Sequence, residues 1–136
     1  MPAEGNTCGL IPSAFALSAV CGERFLFCEI YDKEGFNMFN ASVAIQVLPT
    51  VTGDDEVCRI VDEVIAYIKS FGLHTVVAPF ETTVEGDYDT LMEIVKGCQL
   101  IAVKAGAPGV STYVKIAYRP ENGVMTIDRK ISKYRE

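Results

Sequence analysis

Ser42-Val43-Ala44-Ile45-Gln46-Val47-Leu48 alternates two kinds of residue along its length. In an extended chain Val43, Ile45 and Val47 fall on one side, and Ala44, Gln46 and Leu48 on the other. The alternation predicts a strand with one buried face. Pro49 stops it, because proline cannot donate to a central ladder. Just beyond, the period changes. Thr52-Gly53-Asp54-Asp55 opens a helix with acidic side chains at the positive end of its dipole. Val57, Ile60, Val61, Val64, Ile68 and Phe71 recur at three-four spacing as its buried stripe. Gly72 stands where a left-handed stop is expected.

The same alternation of periods continues towards the C-terminus. Thr75–Ala78 reads as a short second strand, and Glu81–Glu85 as a third, with Pro79 and Phe80 in the connection. Gly86 ends the third strand. Asp87 then caps a second helix with Leu91, Ile94, Val95 and Cys98 on its apolar side. Residues 100–108 fit either a continuation of that helix or a loop. Thr112–Tyr118 is a fourth strand, with Val114, Ile116 and Tyr118 expected inside. Asn122-Gly123 is a turn. Thr126 caps a short last helix that carries Ile127, Ile131 and Tyr134 on one side.

This order, βαββαβ plus a terminal helix, predicts an α+β fold of the ferredoxin-like kind. Two right-handed βαβ halves interlock into an antiparallel four-stranded sheet of order 4-1-3-2, with both main helices on one face. No segment is evident in the sequence to cover the other face. That open face is where function is expected.

Residues 1–37 do not share the pattern. Leu10–Val20 is apolar, but Glu4 precedes it and no Lys or Arg does, so it is a poor signal peptide. Val20 before Cys21 spoils a lipoprotein cleavage box. Arg24–Tyr31 could form a short strand. Two readings remain: a translated upstream extension with Met38 as the working start, or an arm that packs on the domain at 38–136 or on a neighbour.

Composition narrows the function. The 136 residues are 49% hydrophobic and 22% charged, the balance of a folded globular chain. Twelve Lys and Arg stand against eighteen Asp and Glu, a net charge of −6 with no basic run, which argues against nucleic acid as a partner. No apolar run approaches the length of a membrane span. The five Cys contain no C-x-x-C and no metal-ligand spacing, so they read as reduced thiols in a cytoplasmic protein. His74 stands alone, with no Ser, Cys or Asp at a known spacing. Gly106-Ala107-Pro108-Gly109 lacks the Lys-Ser/Thr of a phosphate loop. Asp54, Asp55 and Glu56 read as helix-start charges rather than a metal cluster. No catalytic constellation emerges.

Strand parity then assembles a candidate site. Gln46 on strand one, Thr83 and Glu85 on strand three, and Tyr113 and Lys115 on strand four all point to the open face. Ala44, Leu48 and Ala117 lie among them. A half-apolar sheet face is expected to be an oligomer interface, and a polar cluster within it a ligand pocket. A solvated face with a Lys115–Glu85 pair is the plainer alternative.

Five quoted segments, Val43–Pro49, Val61–Ile65, Thr82-Thr83-Val84-Glu85-Gly86-Asp87, Tyr113–Ile116 and Asp128–Ile131, together resemble the small thiamine-binding protein family related to YkoF. The likeness spans residues 38–136. It implies a ferredoxin-like protomer that assembles through its sheets as a homodimer or homotetramer. It also implies non-catalytic binding of thiamine, or of its hydroxymethylpyrimidine-like portion, with no further cofactor. The residues agree with that chemistry. Glu85 can accept from an exocyclic amine, Gln46 and Thr83 offer donors and acceptors, and Tyr113 offers an aromatic face to a flat cation. Lys115 is expected to order Glu85. The competing readings are a structural or regulatory assembly module without a ligand, and an enzyme using Glu85 as acid or base.

Overall fold

The structure is a computed structural model, and it describes residues 39–135. The expectations for residues 1–37, including the strand over Arg24–Tyr31, lie outside the described residues. Strand β1 (Ala41–Pro49) is followed by helix α1 (Asp54–Lys69), strands β2 (Thr75–Val77) and β3 (Thr82–Gly86), helix α2 (Tyr88–Lys104) and strand β4 (Val110–Tyr118). A short helix α3 (Ile127–Ile131) and a 3-10 turn at Ser132–Tyr134 complete it. The sheet order is β2-β3-β1-β4, every pair antiparallel, as the sequence predicts.

The buried face follows from the parity of β1. Val43 and Ile45 are buried and Val47 is half-buried, facing Ile60, Val64 and Ile68 of α1 and Leu91, Ile94, Cys98 and Ala102 of α2. Each fully buried aliphatic side chain of this size contributes about 1.5–3 kcal/mol relative to exposure. Cys98 lies within this core, and burial pushes its thiol up to about 12, so it packs as a small hydrophobe. Cys58, on α1, is exposed instead.

The helix ends have local causes. Gly53 precedes α1 at φ 93°, a conformation that favours glycine, and three acidic residues fill the first turn. Asp87 caps α2 by accepting from the backbone N–H groups of Asp89 and Thr90. Asn40, just ahead of β1, donates to the Asp87 carboxylate and accepts from the Tyr88 N–H, which binds the sheet to the start of α2. The ambiguous stretch 100–108 is helix as far as Lys104, because Ala102 continues the buried stripe. The chain then turns at Gly106, at φ 116°. Arg59 of α1 reaches that end, donating to Ala105 O at 2.7 Å while pairing with Glu56.

Two expectations are corrected. Ile116 and Tyr118 are not inside: they are 48% and 50% exposed. β4 is an edge strand, and the helical layer does not cover its C-terminal half. There Tyr118 packs its ring against Tyr88, with centroids 4.5 Å apart. The last helix also breaks its stripe. After Ile131 the chain tightens into the 3-10 turn, and Tyr134 is exposed.

Candidate functional site

The face of the sheet away from α1 and α2 is built from three rows of residues. Ser42 pairs with Glu85 on one side and Ala117 on the other. Ala44 pairs with Thr83 and Lys115. Gln46 pairs with Tyr113 alone, because the β1–β3 ladder ends at Ile45 and Thr82. Gln46, Thr83, Glu85, Tyr113 and Lys115 therefore share one face in successive rows. Their environments differ. Tyr113 is 65% exposed and Lys115 is exposed, Gln46 and Thr83 are half-buried, and Glu85 has no exposed surface.

Lys115 does not order Glu85. Its Nζ lies 2.7 Å and 2.8 Å from the two carboxylate oxygens of Glu81, so that pair forms across the front of the face. Parity put Lys115 and Glu85 on one side, and Glu81, just ahead of β3, is the carboxylate within reach of Lys115.

Glu85 is buried because this face is partly covered, contrary to the sequence expectation. After β4 the chain crosses back. Arg119 N donates to Asn40 O and Val124 N donates to Phe39 O, at 2.8 and 2.9 Å. Val124 and Ile127 bury their side chains. The first N–H of α3, from Ile127, donates to Glu85 Oε1 in a short hydrogen bond. Glu85 Oε2 has no hydrogen-bond partner among the described residues. It faces His74 Nδ1 at 3.4 Å, and the same nitrogen lies 3.7 Å from Asp128 Oδ2. Asp128 is held in turn by Arg135 at 3.0 Å. Burial raises the Glu85 carboxyl above its usual range, against the opposing pull of the Ile127 N–H, His74 and Lys130; Asp128 adds to the rise.

His74 and Asp128 are thus neighbours of the site that sequence reasoning missed. Their approach depends on a chain reversal after Tyr118, and no spacing in the sequence encodes it. The Thr126 cap was the available signal for α3. Its side chain accepts from Arg129 N.

Beside the face, the part of β1 beyond Ile45 leaves an opening. A groove of about 270 Å³ lies between β1, α1 and the loop at Ala78–Glu81. Val57, Val61 and Ile65 form its α1 wall, Phe80 stands at its mouth, and Gln46 and Asp62 are among its polar residues. Taken together, the face and groove offer an aromatic surface, an amide, a hydroxyl and several carboxylates. Such groups can hold a flat, nitrogen-rich, cationic molecule. Among the described residues no group of three or more His, Cys, Asp or Glu side chains could hold a metal ion. No described helix is long and apolar enough to cross a membrane.

Comparison with known proteins adds lineage. The UPF0045 protein CPE1503 of Clostridium perfringens is 45% identical over 98 residues, which are 72% of this chain and all of that protein. The solved structure of a domain of unknown function, DUF77, from Bacillus cereus is similar, with a TM-score of 0.64 and 41% identity over 71% of this chain and 90% of that one. So is TM0486 of Thermotoga maritima, whose suggested role is thiamine biosynthesis or salvage. Its TM-score is 0.62, with 33% identity over 70% of this chain and 98% of that one. The sequence profile of the thiamine-binding proteins matches residues 43–135, nearly the whole of the described fold. From Val43 onward the sheet, its two covering helices and the open face lie within that match, and the chain belongs to the thiamine-binding protein family.

Proposed function

We propose that this protein binds thiamine or its hydroxymethylpyrimidine-like portion without converting it, in the cytoplasm, at the open sheet face of a homo-oligomer. One observation carries the reading: the pairing register sets Gln46 beside Tyr113, and Thr83 and Lys115 either side of Ala44, on the face opposite the helices. Family membership supports small-molecule binding there. The exposed Tyr113 ring can stack on a flat cation, an interaction of about 0.5–2 kcal/mol. Gln46 supplies both a donor and an acceptor for a ring edge.

Calorimetric titration with thiamine and with its pyrimidine alcohol tests this. Tyr113→Ala should weaken binding by roughly threefold to thirtyfold. Gln46→Ala should weaken it by a similar factor, with the oligomeric state unchanged. Equal affinities in wild type and both variants would move the ligand off this face. A second reading has its own support. Leu48, Tyr113, Ile116 and Tyr118 are large and exposed, as on an assembly module that needs no ligand. A native mass equal to an integral number of bare chains, with no binding in titration, would favour it. An acid or base role for Glu85 draws no support from a carboxylate enclosed beneath α3.

A further inference from the structure

A carboxylate removed from water is costly unless both its oxygens are bonded. Glu85 meets this requirement by half. Oε1 accepts from Ile127 N, while Oε2 has no hydrogen-bond partner among the described residues and lies 3.4 Å from His74 Nδ1. Among the described residues the donor to Glu85 comes from α3, a helix of five residues. Among the described residues, the segment carrying α3 is held to the domain by few other contacts: the Val124–Phe39 backbone bond, the approach of Asp128 to His74 and the buried side chains of Val124 and Ile127. From Asp128 onward its residues are exposed or half-buried. A buried acidic group thus rests on a lightly held piece of chain, within the face described above.

We propose that the segment Val124–Tyr134 is a displaceable strap that occupies Glu85 in a ligand's place, and that an amino-substituted, cationic heterocycle displaces it. This rests on the reading of the open face as a thiamine-type site. The Ile127 N–H marks where the ligand's amino group bonds Oε1, and the unpartnered Oε2 takes a second N–H or the ring charge. Thr83 and Gln46 lie in the next rows of the same face, on the side away from the strap's attachment at Asn40 and Phe39.

The charges around Glu85 give the strap a pH dependence. His74 faces it from the chain leading into β2, and Asp128 and Lys130 from α3; its β1 neighbour is the uncharged Ser42, with Ala117 of β4 beyond. Its carboxyl is raised in the closed state, so closure is favoured where Glu85 is protonated. That advantage is lost as pH rises through the raised value. The strap therefore loosens as pH rises through that raised range.

Hydrogen exchange and tryptic cleavage at Arg129 and Lys130 of the full chain, with and without thiamine or its pyrimidine alcohol, provide the test. Ile127→Pro removes the donating N–H. Proline is tolerated at a first helical position, and Thr126, at φ −65° and ψ 154°, already has the extended geometry required before proline. Ile127→Ala shortens the same side chain but keeps the N–H, and is the control. The proline variant should exchange and cleave in this segment about ten- to hundredfold faster than the alanine variant, and should bind the probes more tightly. Glu85→Gln keeps the acceptor and loses the charge. Its strap should stay protected with the pH dependence removed, and probe binding should weaken about tenfold or more. In wild type, saturating probe should unprotect residues 124–134.

Equal protection in the proline and alanine variants overturns the strap. So does probe binding in wild type that leaves the segment's protection unchanged, although the thiamine reading then survives. If the strap opens in Ile127→Pro and neither probe binds, displacement by such a ligand is wrong and the thiamine reading falls with it. Binding confined to the proline variant would support the strap.

Discussion

Thr112 on β4 is the Cα partner of Val47 and lies on the helix-facing side of the sheet. Its hydroxyl oxygen is buried without a hydrogen-bond partner among the described residues. An orphaned hydroxyl costs about 1–3 kcal/mol, whereas valine fills the same shape. Thr112→Val should therefore stabilise the protein by about 1 kcal/mol, seen as a higher urea midpoint at unchanged slope. A lower midpoint would show that the hydroxyl is bonded in solution. Residues of this kind separate what could be read in advance from what could not. The alternation within each strand is local, so it placed Gln46 of β1, Thr83 and Glu85 of β3, and Tyr113 and Lys115 of β4 on the common face that the register shows. Whether a side chain on that face is wet or dry depends on what lies above it. The cover on Glu85 comes from Ile127, far along the chain, and strand parity carries no trace of it.

Among the elements, α1 meets α2 at Gly97 through the side chain of Tyr67. A Cβ built there would fall 1.9 Å from Tyr67 Oη and 2.3 Å from its ring carbon, Cζ. The tyrosine ring lies across the α2 backbone at this glycine, and Phe71 meets it edge-on with centroids 5.2 Å apart. Gly97→Ala improves the helix propensity of α2 but must expel the ring. Overpacking of this sort costs about 1–3 kcal/mol, more than the propensity gain of about 1 kcal/mol. A lower melting temperature is expected, recovered only in part when Tyr67→Phe is combined with Gly97→Ala, since Cζ and Cε1 clash as well as the hydroxyl. A melting temperature above wild type would mean that the ring leaves without loss. The helices themselves were legible, because stripes and caps are written within a few residues. Their contact was not: Gly97 reads as a mild helix breaker until Tyr67 is placed against it. The end of α2 was hidden for a similar reason, since Gly106 and Pro108 mark a stop without saying whether residues 100–104 precede it as helix or loop.

For the whole molecule, four of the large apolar side chains left exposed lie on β1 and β4: Leu48, Tyr113, Ile116 and Tyr118. With a net charge of −6, chains repel at long range, so the homo-oligomer proposed above would have to draw on such apolar contacts. Ala44, between Thr83 and Lys115 on the central strand, is the place to test assembly through the sheet faces. Ala44→Glu would put an unpaired charge into every copy of that interface, a change that breaks buried contacts. Sedimentation velocity should show smaller particles for the variant than for wild type. A monomeric wild type at micromolar concentration would leave the face free and the sheet-to-sheet contact unsupported.

The sheet order also governs when the fold can form. β1 is the first described strand to be synthesised, yet both its neighbours come later, and its longest ladder joins Ala41 to Tyr118 and Pro49 to Val110. On the ribosome, Val43 and Ile45 emerge long before the strand that completes their sheet. Until β4 clears the exit tunnel, β1 has an open edge and no finished core. Non-local pairing of this kind slows folding, because loop-closure entropy is lost before the contacts are made. Closure of the core is thus a late event in translation, and a nascent chain paused before residue 110 would present its central strand to chaperones or to other nascent chains.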